Sequence, residues 1–123
     1  METTLTITRE EIQANNPITV LHLQGWLDAK GEENLLAAAR AAYSEGARYM
    51  ILDLAGVETL TSAGMRAMHK VYKLYTPAEE RMKTLRVSIC NAPVQVNNIL
   101  GITGFLLNIP SYRNMQLAID SFK

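Results

Sequence analysis

The stretch from Ile51 to Met65, Ile-Leu-Asp-Leu-Ala-Gly-Val-Glu-Thr-Leu-Thr-Ser-Ala-Gly-Met, constrains the chain more than any other. Tyr49–Leu54 is almost continuously apolar, which suits a central strand buried on both faces. The strand is expected to break at Gly56, and an amphipathic helix is expected to open at Ser62. Beyond it, Met68, Val71, Tyr72 and Tyr75 recur at spacings of three and four, so one helical face meets the sheet. Arg66, Lys70 and Lys73 recur on another face and are expected to stay solvated. A helix start leaves backbone N–H groups unpaired. A hydroxyl at Ser62 can cap them, and a phosphate there would sit favourably at the positive end of the helix dipole. The plainer reading makes Thr61 and Ser62 N-cap residues and nothing more.

The flanking segments repeat the alternation of strand and helix. Thr3–Thr8 alternates polar and apolar residues and reads as a first strand. Asn15-Asn16-Pro17 marks a turn before a second strand, Ile18–Gly25, that pairs with the first as a hairpin. Asp28 precedes a helical stretch, Glu32–Ser44, which Gly46 closes. Pro77 and the Thr76-x-x-Glu79 pattern suggest a short capped helix. Leu85–Cys90 alternates as a fourth strand, and Pro93 opens a helix over Val94–Leu100. Leu106, Leu107 and Ile109 suggest a last short strand, and Asn114–Phe122 a terminal helix with Met115, Leu117, Ala118 and Phe122 turned to the core. Strands alternating with helices after a hairpin imply parallel strands joined by right-handed crossovers. Ile51, Leu52, Leu54, Met68, Val71, Val87 and Ile89 are the expected core.

A chain of 123 residues suits one domain, here residues 1–123. Twelve basic residues balance twelve acidic ones, so nothing in the charge calls for nucleic acid or an anionic membrane. The single cysteine, Cys90, lies in an apolar run and reads as a small buried hydrophobe. No apolar run approaches the ~20 residues of a membrane span, and Met1-Glu2-Thr3-Thr4 does not resemble a secretory signal. A cytoplasmic location is the expectation. No metal-ligand cluster, Walker-type glycine loop or Ser-His-Asp order is present, so no catalytic residue, metal or cofactor is expected. His22 reads as a packed or solvated strand residue. His69 lies about two turns beyond Ser62, too far to act as its base.

Four motifs in order then resemble one family, the STAS domain of bacterial anti-anti-sigma factors and sulfate-transporter tails. Gly25-Trp26-Leu27-Asp28-Ala29 is similar to its Gly-x-Leu-Asp-Ala, and Leu52–Val57 to its Asp-Leu-Ser-x-Val strand end. Thr61-Ser62-Ala63-Gly64-Met65 resembles its Asp-Ser-Ser-Gly-Leu, and the Thr103-Gly104-Phe105 segment its Thr-Gly-Leu. The resemblance implies a mixed, mostly parallel sheet of about five strands carrying four to five helices. It implies an anti-sigma factor antagonist that binds an anti-sigma factor with serine-kinase activity and is switched off by phosphorylation. The acceptor serine maps to Ser62, with Thr61 as second choice, and a PP2C-type phosphatase would reverse the step. Asp28, Thr61, Ser62, Ala63, Gly64, Met65 and Arg66 would meet the partner, the protein itself being a monomer or weak dimer. Thr61 stands where the family has aspartate, and Ala63 where it has a second serine. The alternative is a STAS scaffold or regulatory subunit of a multi-protein or membrane-transport complex with no such switch.

Overall fold

The computed structural model describes residues 4–81 and 83–122. Five strands form one sheet in sequential order: β1 (Leu5–Gln13), β2 (Pro17–Leu27), β3 (Met50–Leu60), β4 (Val87–Cys90) and β5 (Ser111–Tyr112). β1 runs antiparallel to β2, and each later pair is parallel. The helices are α1 (Ala29–Ser44), α2 (Ser62–Tyr75), α3 (Val94–Ile102) and α4 (Met115–Asp120). This is the mixed, mostly parallel α/β architecture that the sequence implies.

When successive parallel strands take adjacent places and every crossover has one hand, their connecting helices fall on one face. α1, α2 and α3 accordingly pack over Leu21, Leu23, Leu52, Leu54, Val87 and Ile89. α4 covers part of the opposite face, where Ala118 and Phe122 close over Ile18, Val20, Ile51 and Cys90. All seven residues expected in the core are buried. Burial on both faces explains why Met50-Ile51-Leu52 shows no polar alternation. Cys90 is fully buried, and that burial pushes its thiol up to about 12. It is a packing residue.

Several local expectations are corrected. β1 extends well past Thr8, to Gln13, and Thr3 lies outside the described residues. β3 does not break at Gly56 but continues to Leu60. Asp53 pairs with His22 and Gly56 with Gln24, so β3 carries an extra residue there and bulges. A Cβ at Gly56 would lie 3.0 Å from the Leu23 carbonyl oxygen, so glycine serves close approach rather than termination. Leu106, Leu107 and Ile109 form no strand. Gly104, at φ 78°, turns the chain into a 3-10 turn at Phe105–Leu107. Pairing to β4 resumes only where Ile89 donates to the Pro110 carbonyl, and the strand is Ser111–Tyr112.

The Thr76-x-x-Glu79 capping box is also absent. The 3-10 turn Ala78–Glu80 has no side-chain cap, and the Thr76 hydroxyl is buried without a protein partner. α3 runs through Gly101 to Ile102 before turning, and in α4 Leu117 is exposed rather than in the core. Among the described residues no helix is long and apolar enough to cross a membrane.

Candidate functional site

The site forms where two strands hand over to two helices. Leu27 and Leu60, the last residues of β2 and β3, are register partners. The residue after each caps the next helix, and neighbouring strands lie about 4.8 Å apart. Asp28 and Thr61 therefore stand side by side on one rim. Asp28 Oδ1 accepts from Gly31 N at 3.0 Å, and Thr61 Oγ1 accepts from Gly64 N at 3.3 Å. Both caps have the extended backbone that this position requires. α1 thus begins at Ala29, a full turn before Glu32.

Thr61, not Ser62, is the cap of α2. Its backbone N–H donates to the Leu27 carbonyl at 3.1 Å, which ties the start of α2 to the end of β2. Ser62 is the first helical residue and is exposed. The two hydroxyls have divided the work: one holds the helix, the other faces solvent. Gly64 lies beneath them, buried against Leu27. Ala63 and Met65 are half-buried, and Arg66 is exposed.

The basic stripe on α2 is not simply solvated. Glu32, in the first turn of α1, accepts two hydrogen bonds from Arg66, at 3.4 and 3.2 Å, and one from Lys70 at 2.8 Å. These bonds, Arg66 first, hold the Glu32 carboxyl down to about 2. The sequence could not show this, because the pair spans 34 residues and depends on α1 lying beside α2. Ser62, Met65, Arg66, Lys70 and Phe105 line a groove of about 590 Å³ between α2 and the turn after α3. Thr103 Oγ1 donates to the Met65 sulfur between two of its lining residues, and in the same turn Ile102 and Leu107 have more than four-fifths of their surface exposed.

His22 has a definite role away from this rim. Its ring nitrogens lie 2.6 Å from Asp53 Oδ2 and 2.7 Å from Glu10 Oε1, so it bridges β3 and β1. Partial burial lowers its pKa, but the Glu10 and Asp53 carboxylates outweigh that and the net direction is up. Asn91, at φ 57°, donates to Asp53 from beyond β4. His69 points the other way: burial, then Lys73 and Arg81, push it down. It lies on the wall of the groove with no carboxylate among the groove's described lining residues.

A five-stranded, mostly parallel sheet backed by three helices, with two capped helix starts and an exposed serine on one rim, defines a small α/β domain of a recognisable class. The chain belongs to the STAS domain family, whose model matches residues 10–118. Over 101 residues it is 29% identical to BtrV of Bordetella bronchiseptica, a protein named as an anti-sigma factor antagonist, covering 82% of this chain and 83% of BtrV. An anti-sigma factor antagonist from Mycobacterium paratuberculosis shares the fold at a TM-score of 0.73 and 20% identity, covering 94% of this chain and 93% of that one. The antagonist SpoIIAA in its unphosphorylated form matches at a TM-score of 0.69 and 18% identity, over 93% of this chain and 95% of that one. The Bacillus SpoIIAA has also been solved in its phosphorylated form.

Proposed function

We propose that the protein is an anti-sigma factor antagonist that binds an anti-sigma factor with serine-kinase activity and is switched off by phosphorylation at Ser62. The observation that carries this reading is the exposed Ser62 hydroxyl on a STAS rim, beside a threonine that already supplies the cap. The kinase would move the γ-phosphoryl group of ATP to Ser62 Oγ. The new O–P bond forms as the bond to the bridging oxygen breaks, ADP leaves, and the hydroxyl proton is lost. The protein itself contributes no catalytic group. Its part is to present the hydroxyl and the surrounding surface of Asp28, Thr61, Ala63, Met65 and Arg66.

The switch is energetically modest. Phosphorylation adds about 1.5–2 negative charges and a strongly hydrated group to the middle of the contact. A hundredfold loss of affinity requires only ~2.7 kcal/mol. SpoIIAA, solved both with and without phosphate, shows that a STAS fold of this kind can carry the modification. A phosphatase of PP2C type would reset the cycle.

The test uses the anti-sigma partner recovered with this protein from its own organism. Phosphate transfer from labelled ATP is expected on the wild type and to be lost in Ser62→Ala. Affinity is expected to persist in Ser62→Ala and to fall in Ser62→Asp. Transfer to Thr61 alone would move the switch by one residue. No transfer to either residue, together with unchanged binding of Ser62→Asp, would leave a STAS scaffold without a switch.

A further inference from the structure

The proposed switch leaves open what the protein does with the phosphate once it is attached. Ser62 and Arg66 are four residues apart on α2, so their Cβ atoms lie about 6 Å apart on one face. Both line the groove that Lys70 and Lys73 also line, and the described lining residues include no carboxylate. Resting on the reading of Ser62 as the acceptor, we propose that Arg66 is the receiver of the phosphate: its guanidinium leaves Glu32 and pairs with phosphoserine 62, while Lys70 keeps Glu32 paired.

Four observations support the exchange. The two Arg66 bonds to Glu32 are long, at 3.4 and 3.2 Å, and the Arg66 side chain is 57% exposed. With more than half of its surface in solvent, it is free to turn its guanidinium toward position 62. The phosphate carries up to twice the charge of a carboxylate and offers the geometry that a guanidinium fork matches in two-pronged fashion. Glu32 is not abandoned, because Lys70 remains at 2.8 Å and the carboxylate sits in the first turn of α1, where the helix dipole favours it. The neighbours of Ser62 are neutral, being Thr61 and Ala63. The opposing charge is Asp28, which already accepts from Gly31 N. Lys73 adds a second cation along the groove, whereas His69, pushed down, does not.

Arg66 would therefore have two jobs at different times. In the unmodified protein it joins the starts of α1 and α2. In the modified protein it masks part of the phosphate charge and fixes its direction, presenting the partner with a held phosphate rather than a swinging one.

The test places phosphoserine at position 62 by genetic-code expansion and follows the phosphate by phosphorus NMR against pH. In the wild-type background the second phosphate ionisation is expected about 0.5 unit or more below that in Arg66→Gln. Glu32→Gln is expected to lower it further, because Arg66 is then uncommitted. A second readout is the Glu32 carboxyl, followed by carbon NMR in the full protein. It is expected to rise from about 2 on phosphorylation as the Arg66 bonds are lost. Identical phosphate titrations with and without Arg66, or a Glu32 carboxyl that stays where it was, would overturn the proposal. Because the phosphoserine is installed directly, these readouts exist whether or not a kinase reaches Ser62. Failure of the kinase assay is thus a separate result.

Discussion

Gly64 packs directly onto the carbonyl of Leu27: a Cβ at that glycine would lie 2.0 Å from the Leu27 oxygen. The same oxygen accepts the Thr61 N–H, so the start of α2 is pressed against the end of β2 from two sides. Gly64→Ala leaves no room, and the obstacle is backbone rather than a flexible side chain. The variant is expected to lose about 1–3 kcal/mol, seen as a lower urea midpoint. A midpoint equal to wild type would show that α2 can lift without cost.

The two adjacent hydroxyls should separate cleanly. Thr61→Ala removes the cap of α2 and is expected to cost ~0.5–2 kcal/mol in chemical denaturation. Ser62→Ala removes an exposed hydroxyl that caps nothing, and should fall within about 0.5 kcal/mol of wild type. Equal losses in both variants would mean that the cap is shared.

Leu52 is fully buried on the face of β3 that α1, α2 and α3 cover. Leu52→Ala is expected to destabilise by ~2–5 kcal/mol, the lost transfer energy plus the cavity left behind. A loss below ~1 kcal/mol would contradict the central placement of this strand.

His22 predicts a pH dependence with a definite sign. Its pKa is raised in the folded protein above the ordinary 6.5, because Glu10 and Asp53 hold the protonated ring despite its partial burial. The folded state thus binds a proton more tightly than the unfolded chain does. The contribution is fully present below about pH 6.5 and is lost as pH rises through the higher folded value. Urea midpoints between pH 5.5 and 8.5, as a rough working range, should therefore fall more for the wild type than for His22→Gln. Parallel curves would show that the bridge does not titrate with folding.

Much of the fold is legible in the chain because the central elements carry strong periodicity. The apolar run Tyr49–Leu54 has the length and composition of a doubly buried strand, and Met68, Val71 and Tyr75 recur at the spacing of one helical face, all three buried. The segment from Phe105 to Ile109 resisted, since a short apolar run fits a turn as well as a strand. Phe105 and Ile109 are buried in either case, while Leu107 is 88% exposed. The cap was a choice between two neighbouring hydroxyls, settled by which residue holds the extended backbone, Thr61 at φ −111° and ψ 173°. Glu32 and His22 were illegible for a different reason. Their partners come from other elements, and only the packing of α1 on α2, or of β1 and β3 around β2, makes them neighbours.

β1 is an outer strand of nine residues whose free side faces no other strand. A border of this kind invites a second chain to add its own strand. Here the middle of the border reads Thr8-Arg9-Glu10-Glu11, and three of those four residues are charged and exposed. Arg9 is further tied back to Glu11 and Glu45. A newcomer laid along this border would have to crowd and partly desolvate these charged side chains, which sets a cost against each backbone bond gained. At the opposite border β5 offers only two residues. Copies of the protein therefore have little to gain by zipping sheet to sheet, at the long border or at the short one.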